Sequence, residues 1–481
     1  MNNKLKYILP LIMATTGTSA YEWTRLTWDW STINTDNPQF PAGFLYGTTL
    51  EEHQNSGTGD ENARAAGYCP KNNWVTWEER LIRPDGQPTI KDFQQSERAC
   101  DHWVRYKEDI QLIKDLGANS FYFSIDWSVI EPKEGKYDRQ ALQHYHDMID
   151  TLLQNGITPV VALHHFVHPQ WFEDKGAFEK TENIALWIRF CKLIFSEFNS
   201  QVKLWITIIE PGPYVVQGYV RAVWPPAKKN LQLAGTVLRN LLIAHVCAYH
   251  TLKRMPGGDQ AQIGFNHNYL RFEAYSSWNP IERTVAYYLN HIFNDAILEF
   301  IKTGEFSFHI ASPVVASVDY TNELAPKSFD FIGLNYYSRV LVHIGLGKAD
   351  ADCLPGEIMT DYGYPIYAEG LYQAIKIMSE YKVPIYVTEN GISDARDDRR
   401  ELFIRRYLYA ITQAIKEGCD VRGYFYWTLM DDFEWDEGYA QKFGLYAINF
   451  ATRECTLRKG AKFLQNLYKQ NTQHIGQSAQ A

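Results

Sequence analysis

Two glutamates occupy the positions in this chain best suited to chemistry. Glu210 ends the run Leu204-Trp205-Ile206-Thr207-Ile208-Ile209 and precedes Pro211, while Glu389 ends Pro384-Ile385-Tyr386-Val387-Thr388 and precedes Asn390-Gly391. In both places an apolar, strand-like run meets a carboxylate and then a chain-turning signal. One glutamate at a strand end is ordinarily a solvated acid. Two placed alike form the minimum set for cleaving a glycosidic bond with retention: one carboxyl protonates the leaving oxygen and the other attacks the anomeric carbon.

The rest of the chain reads as a scaffold that can bring them together. Eight strand candidates run from Phe44 to Leu50, Ser120 to Asp126, Thr158 to Phe166, Lys203 to Ile209, Gln262 to Leu270, Phe329 to Tyr337, Pro384 to Thr388 and Val421 to Leu429. Between them, apolar residues recur at helical spacing from Trp103 to Leu116, Leu142 to Gln154, Leu186 to Phe198, Val237 to Lys253, Arg283 to Lys302, Glu369 to Tyr381 and Leu402 to Glu417. Strand alternating with helix implies a parallel sheet, and eight repeats close it into a single (β/α)8 TIM barrel. The barrel is expected over residues 41–468, after an N-terminal extension at 21–40 and before a flexible tail at 469–481. Long loops follow the first, fourth and sixth strands, on the C-terminal face where such barrels carry their chemistry. Both glutamates fall on that face, after the fourth and seventh strands.

Composition narrows the partner. The 481 residues carry a net charge of -9, with no basic stripe interleaved with aromatics, so nucleic acid is an unsuitable partner and a small uncharged molecule fits better. Aromatics make up 15%, including 14 Trp and 31 Tyr; such rings line sugar clefts as readily as they fill cores. Lys4 and Lys6, the apolar stretch from Tyr7 to Ala14 and the small residues up to Ala20 read as a signal peptide over residues 1–20, so the protein is expected to be exported, periplasmic or secreted, with a cytoplasmic location as the alternative. No other long uncharged run occurs, and no stable membrane insertion is expected. No heptad pattern signals an oligomer.

The seven cysteines show neither CxxC pairing nor metal spacing. Cys191 and Cys247 lie in helical stretches and are expected to be buried thiols; Cys69 and Cys353, in loop-like sequence, are the candidates for one disulfide. His164, His165 and His168 invite a metal reading. Strand alternation sends His164 and His165 to opposite faces, however, so no metal is expected, and no cofactor. Gly345-Leu346-Gly347-Lys348 lacks the spacing of a phosphate-binding loop and reads as a turn.

Further polar and aromatic residues gather at the same strand ends: Gln54, His165, Asn335, Tyr337, Trp427, Glu434 and Trp435. Together they would ring one pocket. Tyr364 and Trp171 are candidates for contacts to the leaving group.

These residues sit in longer stretches: Pro41-Ala42-Gly43-Phe44-Leu45-Tyr46-Gly47 ahead of Gln54, Ala99-Cys100-Asp101-His102-Trp103 ahead of Arg105, Gly333-Leu334-Asn335-Tyr336-Tyr337, Thr388-Glu389-Asn390-Gly391, Tyr426-Trp427-Thr428-Leu429 and Asp431-Asp432-Phe433-Glu434-Trp435. In this order they resemble family 1 of the glycoside hydrolases, the β-glucosidase family, from about Pro41 to Tyr468. The resemblance implies Glu210 as acid/base and Glu389 as nucleophile, with carboxyls roughly 5 to 5.5 Å apart. It further implies that Gln54, His165, Glu434 and Trp435 hold the hydroxyls of the non-reducing sugar, that Tyr337 hydrogen-bonds Glu389, and that Trp427 floors the ring. Glu434-Trp435 also looks like the pattern for unphosphorylated sugars, because a carboxylate there would repel a 6-phosphate.

Two positions depart from the family pattern. Ile209 stands where an Asn usually precedes the acid, and Tyr122 stands where an Arg contacts the nucleophile. The Asn gives the sugar 2-OH a hydrogen bond that strengthens in the transition state, and Ile has no donor; loss of the Arg charge lets the Glu389 pKa rise. Ile209 would also desolvate Glu210 and help keep it protonated. The expectation is a retaining β-glycosidase with its inner pocket retuned around C2 of the sugar. A conventional β-glucosidase in which Tyr122 or water replaces the missing groups, and a catalytically weak carbohydrate-binding protein on the same barrel, are the alternatives.

Overall fold

In a computed structural model, which describes residues 25–310, 316–345, 348–351 and 353–478, eight parallel strands close into a barrel. They are β1 (Leu45–Leu50), β2 (Ser120–Ser124), β3 (Thr158–Ala162), β4 (Leu204–Ile206), β5 (Gln262–Asn268), β6 (Phe331–Asn335), β7 (Ile385–Asn390) and β8 (Val421–Tyr426). Each pairs with its neighbours in chain order, and β1 closes the ring by pairing Leu45 with Gly423 of β8 and Gly47 with Ser120 of β2. The eight predicted strands are all present. Most are shorter than their apolar runs, because the chain leaves the ladder at the C-terminal face to form the site.

The outer layer is helical: α1 (His102–Leu116), α2 (Arg139–Gln154), α3 (Ile184–Phe198), α4 (Leu231–Leu252), α5 (Pro280–Asn290), α6 (Ala296–Thr303), α7 (Ala368–Ser379), α8 (Arg400–Lys416) and α9 (Lys462–Ser478). Local chemistry sets their limits. The Asp138 side chain caps α2 by accepting from the N–H groups of Gln140 and Ala141, and Gly117, at φ 83°, ends α1 by donating back to Ile113 and Lys114. The single helix predicted over 283–302 is instead α5 and α6 joined by a wider π-helical turn at His291–Asp295. By length and composition α4 could cross a membrane, but most of it is buried within this fold.

Two apolar layers result. One lies between the strands and the helices. The other fills the barrel interior with Tyr122, Val160, Ala162, Leu204, Ile206, Ile209, Phe331 and Phe425. Glycine makes room for this plug: a Cβ on Gly47 would lie 2.2 Å from the Phe425 ring, and one on Gly264 2.2 Å from Phe331.

Three small sheets were not predicted. Arg271–Ala274, Arg339–Gly345 and Lys348–Ala351 form one; Glu305–Ile310 pairs with Ala316–Thr321, and Tyr446–Ile448 with Cys455–Leu457. Gly345 opposes Lys348 in an antiparallel register, consistent with the expected turn, whose residues 346 and 347 lie outside the described residues.

Several other expectations need correction. All seven cysteines are free thiols, including Cys69 and Cys353, and Cys247 is exposed where a buried thiol was expected; Cys191 is buried. The chain past residue 468 is helical to Ser478 where a flexible tail was expected, because Tyr468 donates to the Gly47 carbonyl and Thr472 to that of Gly117, tying α9 to the barrel. The leader expected at residues 1–20 lies outside the described residues. From Arg25 the extension is strapped to the helical layer: the Trp28 N–H and Trp30 Nε1 both donate to Glu369 Oε1, at 2.9 and 3.0 Å.

Candidate active site

Chain direction at the end of β4 explains how Glu210 reaches the site. After Ile206 the ladder stops, and Glu210 takes the left-handed conformation (φ 44°, ψ 61°), strain that a non-glycine residue accepts only when its surroundings impose it. The Asn266 Oδ1 accepts the Glu210 backbone N–H at 3.1 Å. The same Asn266 donates through Nδ2 to Asn335 Oδ1 (3.0 Å) and Thr388 Oγ1 (2.9 Å), and Thr388 donates to Asn335 Oδ1 at 2.7 Å. One amide on β5 thus ties the acid at the end of β4 to β6 and β7.

The carboxyl of Glu210 accepts from Asn335 Nδ2 (2.7 Å) and Asn268 Nδ2 (2.9 Å), both at Oε1. Glu389 Oε2 accepts from the Tyr337 hydroxyl at 2.9 Å, and the Tyr407 hydroxyl holds the Tyr337 carbonyl at 2.8 Å. Asn335 is near enough to both carboxyls to favour the charged form of each, yet its hydrogen bond goes to Glu210. Glu389 Oε1 is left buried without a hydrogen-bond partner among the described residues.

Both carboxyls face one cavity, partly open to solvent. His165, Tyr337, Trp427, Glu434 and Trp435 line it with them, as does Tyr364. Gln54 and Asn335 stand behind the wall: both are fully buried, and Gln54 Nε2 points at Glu434 Oε2 at 3.4 Å. Trp171 is elsewhere, its indole donating to the Glu131 carbonyl and its ring set edge-on to Trp127. Trp435 is wedged against Trp74, Trp224 and Phe166, ring centroids 4.5, 5.7 and 5.4 Å away. Trp224 lines the cavity too, and its Nε1 donates to Asp436 at 2.6 Å.

Burial governs the electrostatics. It pushes Glu210 up to about 7 against the pull of its two amide donors. Glu389 is held well above the usual carboxylate range by burial and then by the charge of Glu210, opposed by the Tyr337 hydroxyl. Glu434 is pushed up to about 8 by burial, then by Asp436, Glu437 and Glu210. His165 is pushed down to about 3 by burial and stays neutral. The arrangement therefore offers a protonated carboxyl near neutral pH beside a second, poorly solvated one, as proton donation and attack at one carbon require.

Ile209 and Tyr122, expected in the inner pocket, do not form the cavity wall. Both turn into the apolar plug one layer below. The Tyr122 hydroxyl is buried and has no hydrogen-bond partner among the described residues, and its strongest charged neighbour is Glu389. In the histidine cluster, His164 Nε2 lies 3.3 Å from His168 Nδ1, and His168 Nε2 lies 2.7 Å from Glu173 Oε2. Asn266 and Asn268 were missed from sequence. Their signal was present, two amides at period two on one face of a strand otherwise rich in core residues.

Known proteins resemble this chain over most of its length. A family model described as Glycosyl hydrolase family 1 matches residues 36–473. Beta-glucosidase A of Thermotoga maritima is 30% identical over 466 residues, spanning 90% of this chain and 98% of that protein. Furostanol glycoside 26-O-beta-glucosidase of Hellenia speciosa is 31% identical, with 85% and 79% covered. Among solved structures, a beta-glycosidase from Pyrococcus horikoshii matches with TM-score 0.76 and 33% identity over 90% of this chain and 96% of that one. A beta-glucosidase from Thermotoga maritima in complex with castanospermine matches with TM-score 0.79 and 28% identity over 90% and 99%.

Proposed function

The chain belongs to glycosyl hydrolase family 1 and is a β-glucosidase-like, retaining glycoside hydrolase; from that premise we propose that it hydrolyses an unphosphorylated β-glycoside with a pocket retuned around C2 of the sugar. The observation that carries this reading is the pair of buried carboxyls, Glu210 and Glu389, facing one cavity and cross-tied through Asn266, Asn335 and Thr388. Glu210, raised to about 7, gives its proton to the leaving oxygen while a Glu389 oxygen bonds to the anomeric carbon. Glu210 then takes a proton from water, which releases the sugar.

Retuning is supported by the two departures. Ile209 turns its apolar side chain down into the barrel plug and offers C2 no donor. Tyr122 supplies no positive charge beneath Glu389. Glu434, Trp435, His165 and Trp427 line the same cavity, with Gln54 behind Glu434, which supports their holding the remaining sugar face. The weak-turnover alternative draws on the raised pKa of Glu389, which disfavours the nucleophilic form at neutral pH.

Incubation with a slow-turnover fluorinated glycoside and peptide mapping tests the mechanism: a sugar adduct on Glu389 is expected, and an adduct elsewhere would refute the assignment. Turnover of an aryl β-glycoside separates hydrolase from binder. A 2-deoxy glycoside losing several kcal/mol of transition-state binding, the scale of the 2-OH contribution, would overturn the C2 reading. The leader-like residues 1–20 support export, which a mature N-terminus at Tyr21 would establish.

A further inference from the structure

The cavity wall is unbalanced in charge. Glu210, Glu389 and Glu434 face it, whereas no lysine or arginine among the described residues lines it, and its imidazole, His165, is neutral. The nearest surroundings deepen the imbalance. Asp436 and Glu437 bear on Glu434, and Glu51 lies behind Tyr122. Buried carboxylates without a cation are costly as anions, so they hold protons instead. Glu389 shows this most clearly, because its only polar neighbours among the described residues are neutral: Tyr337 donates to Oε2, Asn335 lies close by, and Oε1 is buried without a hydrogen-bond partner.

We propose that the substrate itself supplies the missing cation: the preferred glycoside is an amino sugar, with a protonated amine on C2 that pairs with the Glu389 carboxylate where it faces the cavity. This rests on the retaining-hydrolase reading and deepens it. C2 is one bond from the carbon under attack, so a cation on C2 lies within reach of the carboxylate that attacks C1. An ammonium there favours the ionised form of Glu389, and the nucleophile becomes competent when its substrate arrives. The step balances as in any retaining cleavage. The Glu389–C1 bond forms as the C1–O bond breaks, the departing oxygen keeps the electron pair and takes the Glu210 proton, and water reverses the sequence.

The test compares aryl β-glucosaminide with aryl β-glucoside, in wild type and in Tyr122→Arg, which places a fixed cation beneath Glu389. Taking the ratio of the two substrates in each enzyme cancels their different intrinsic reactivities. The glucosaminide-to-glucoside ratio of kcat/KM is expected to fall at least about tenfold in Tyr122→Arg, the equivalent of one pKa unit of interaction. An unchanged or rising ratio overturns the proposal. Calorimetry on wild type gives a second readout that needs no variant: in mildly acidic buffer, glucosamine is expected to bind at least about tenfold more tightly than glucose. Equal or weaker binding overturns the proposal even if Tyr122→Arg fails to fold. If neither aryl glycoside is turned over, the hydrolytic reading fails, and the binding comparison alone decides the charge preference.

Discussion

Replacing Asn268 by leucine removes one of two amide donors from the Glu210 carboxyl while keeping the same branched skeleton. The bond lost is a 2.9 Å contact from Nδ2 to Oε1; the 2.7 Å contact from Asn335 stays. Hydrogen bonds to a charged group contribute about 1.5–3 kcal/mol. Asn268 is only half-buried, so water can restore part of the loss, and the lower end of that range applies. About 1.4 kcal/mol is one pKa unit. The amide favours the anion, so its removal raises the Glu210 pKa from about 7 towards about 8. In the kcat/KM profile of an aryl β-glycoside, the alkaline limb reports the free enzyme's general acid. It should move up by about one unit, with the maximum rate changed far less than the limb. A limb that stays in place or moves down would refute the hydrogen-bond account of Glu210.

Glu51 is buried and pushed up to about 8 from an ordinary 4.5, so the folded state holds its proton where the unfolded state has lost it. That contribution to stability is complete below about pH 4.5 and is lost as pH rises through about 8. Glu51→Gln should flatten the fall in thermal midpoint across that window, by on the order of a few kcal/mol at its upper end; parallel curves would refute the assignment. Glu434, raised to about 8, repels a sugar 6-phosphate more strongly once ionised, so inhibition by such a sugar should weaken as pH rises through about 8; inhibition that strengthens would place the phosphate elsewhere. Gly391→Ala puts a Cβ 1.9 Å from the Trp427 carbonyl oxygen, and overpacking of about 1–3 kcal/mol should appear as a lower melting temperature with lost activity; an unchanged enzyme would contradict the packing seen there.

The barrel was legible because each of its strands is a run of core residues cut off by a turn signal, and because the helical stretches between them repeat with one spacing. The two glutamates were legible for the same reason. The plug was not. Near Ile209 the strand has already ended at Ile206, so alternation no longer tells which way a side chain points. Cys247 was misplaced because α4 is apolar nearly all round, leaving its period without a clear polar face. Spacing along the chain says nothing of the distance between Cys69 and Cys353. The side sheets are short and lie in the long connections, where sequence reads simply as loop. Asn266 escaped because two amides near a strand end read as ordinary polar residues leading into a loop until the three partners of Asn266 are seen.

β4, β5, β6 and β7 stand side by side in the ring, and the ties among Glu210, Asn266, Asn335 and Thr388 cross each seam between them. The separation of the two carboxyls is thereby fixed by ladder geometry, with neighbouring backbones about 4.8 Å apart, rather than by the connections above. Those connections can lengthen, shorten or be exchanged between relatives without disturbing the two carboxyls. New leaving-group preferences can therefore be grafted onto an unchanged catalytic chassis.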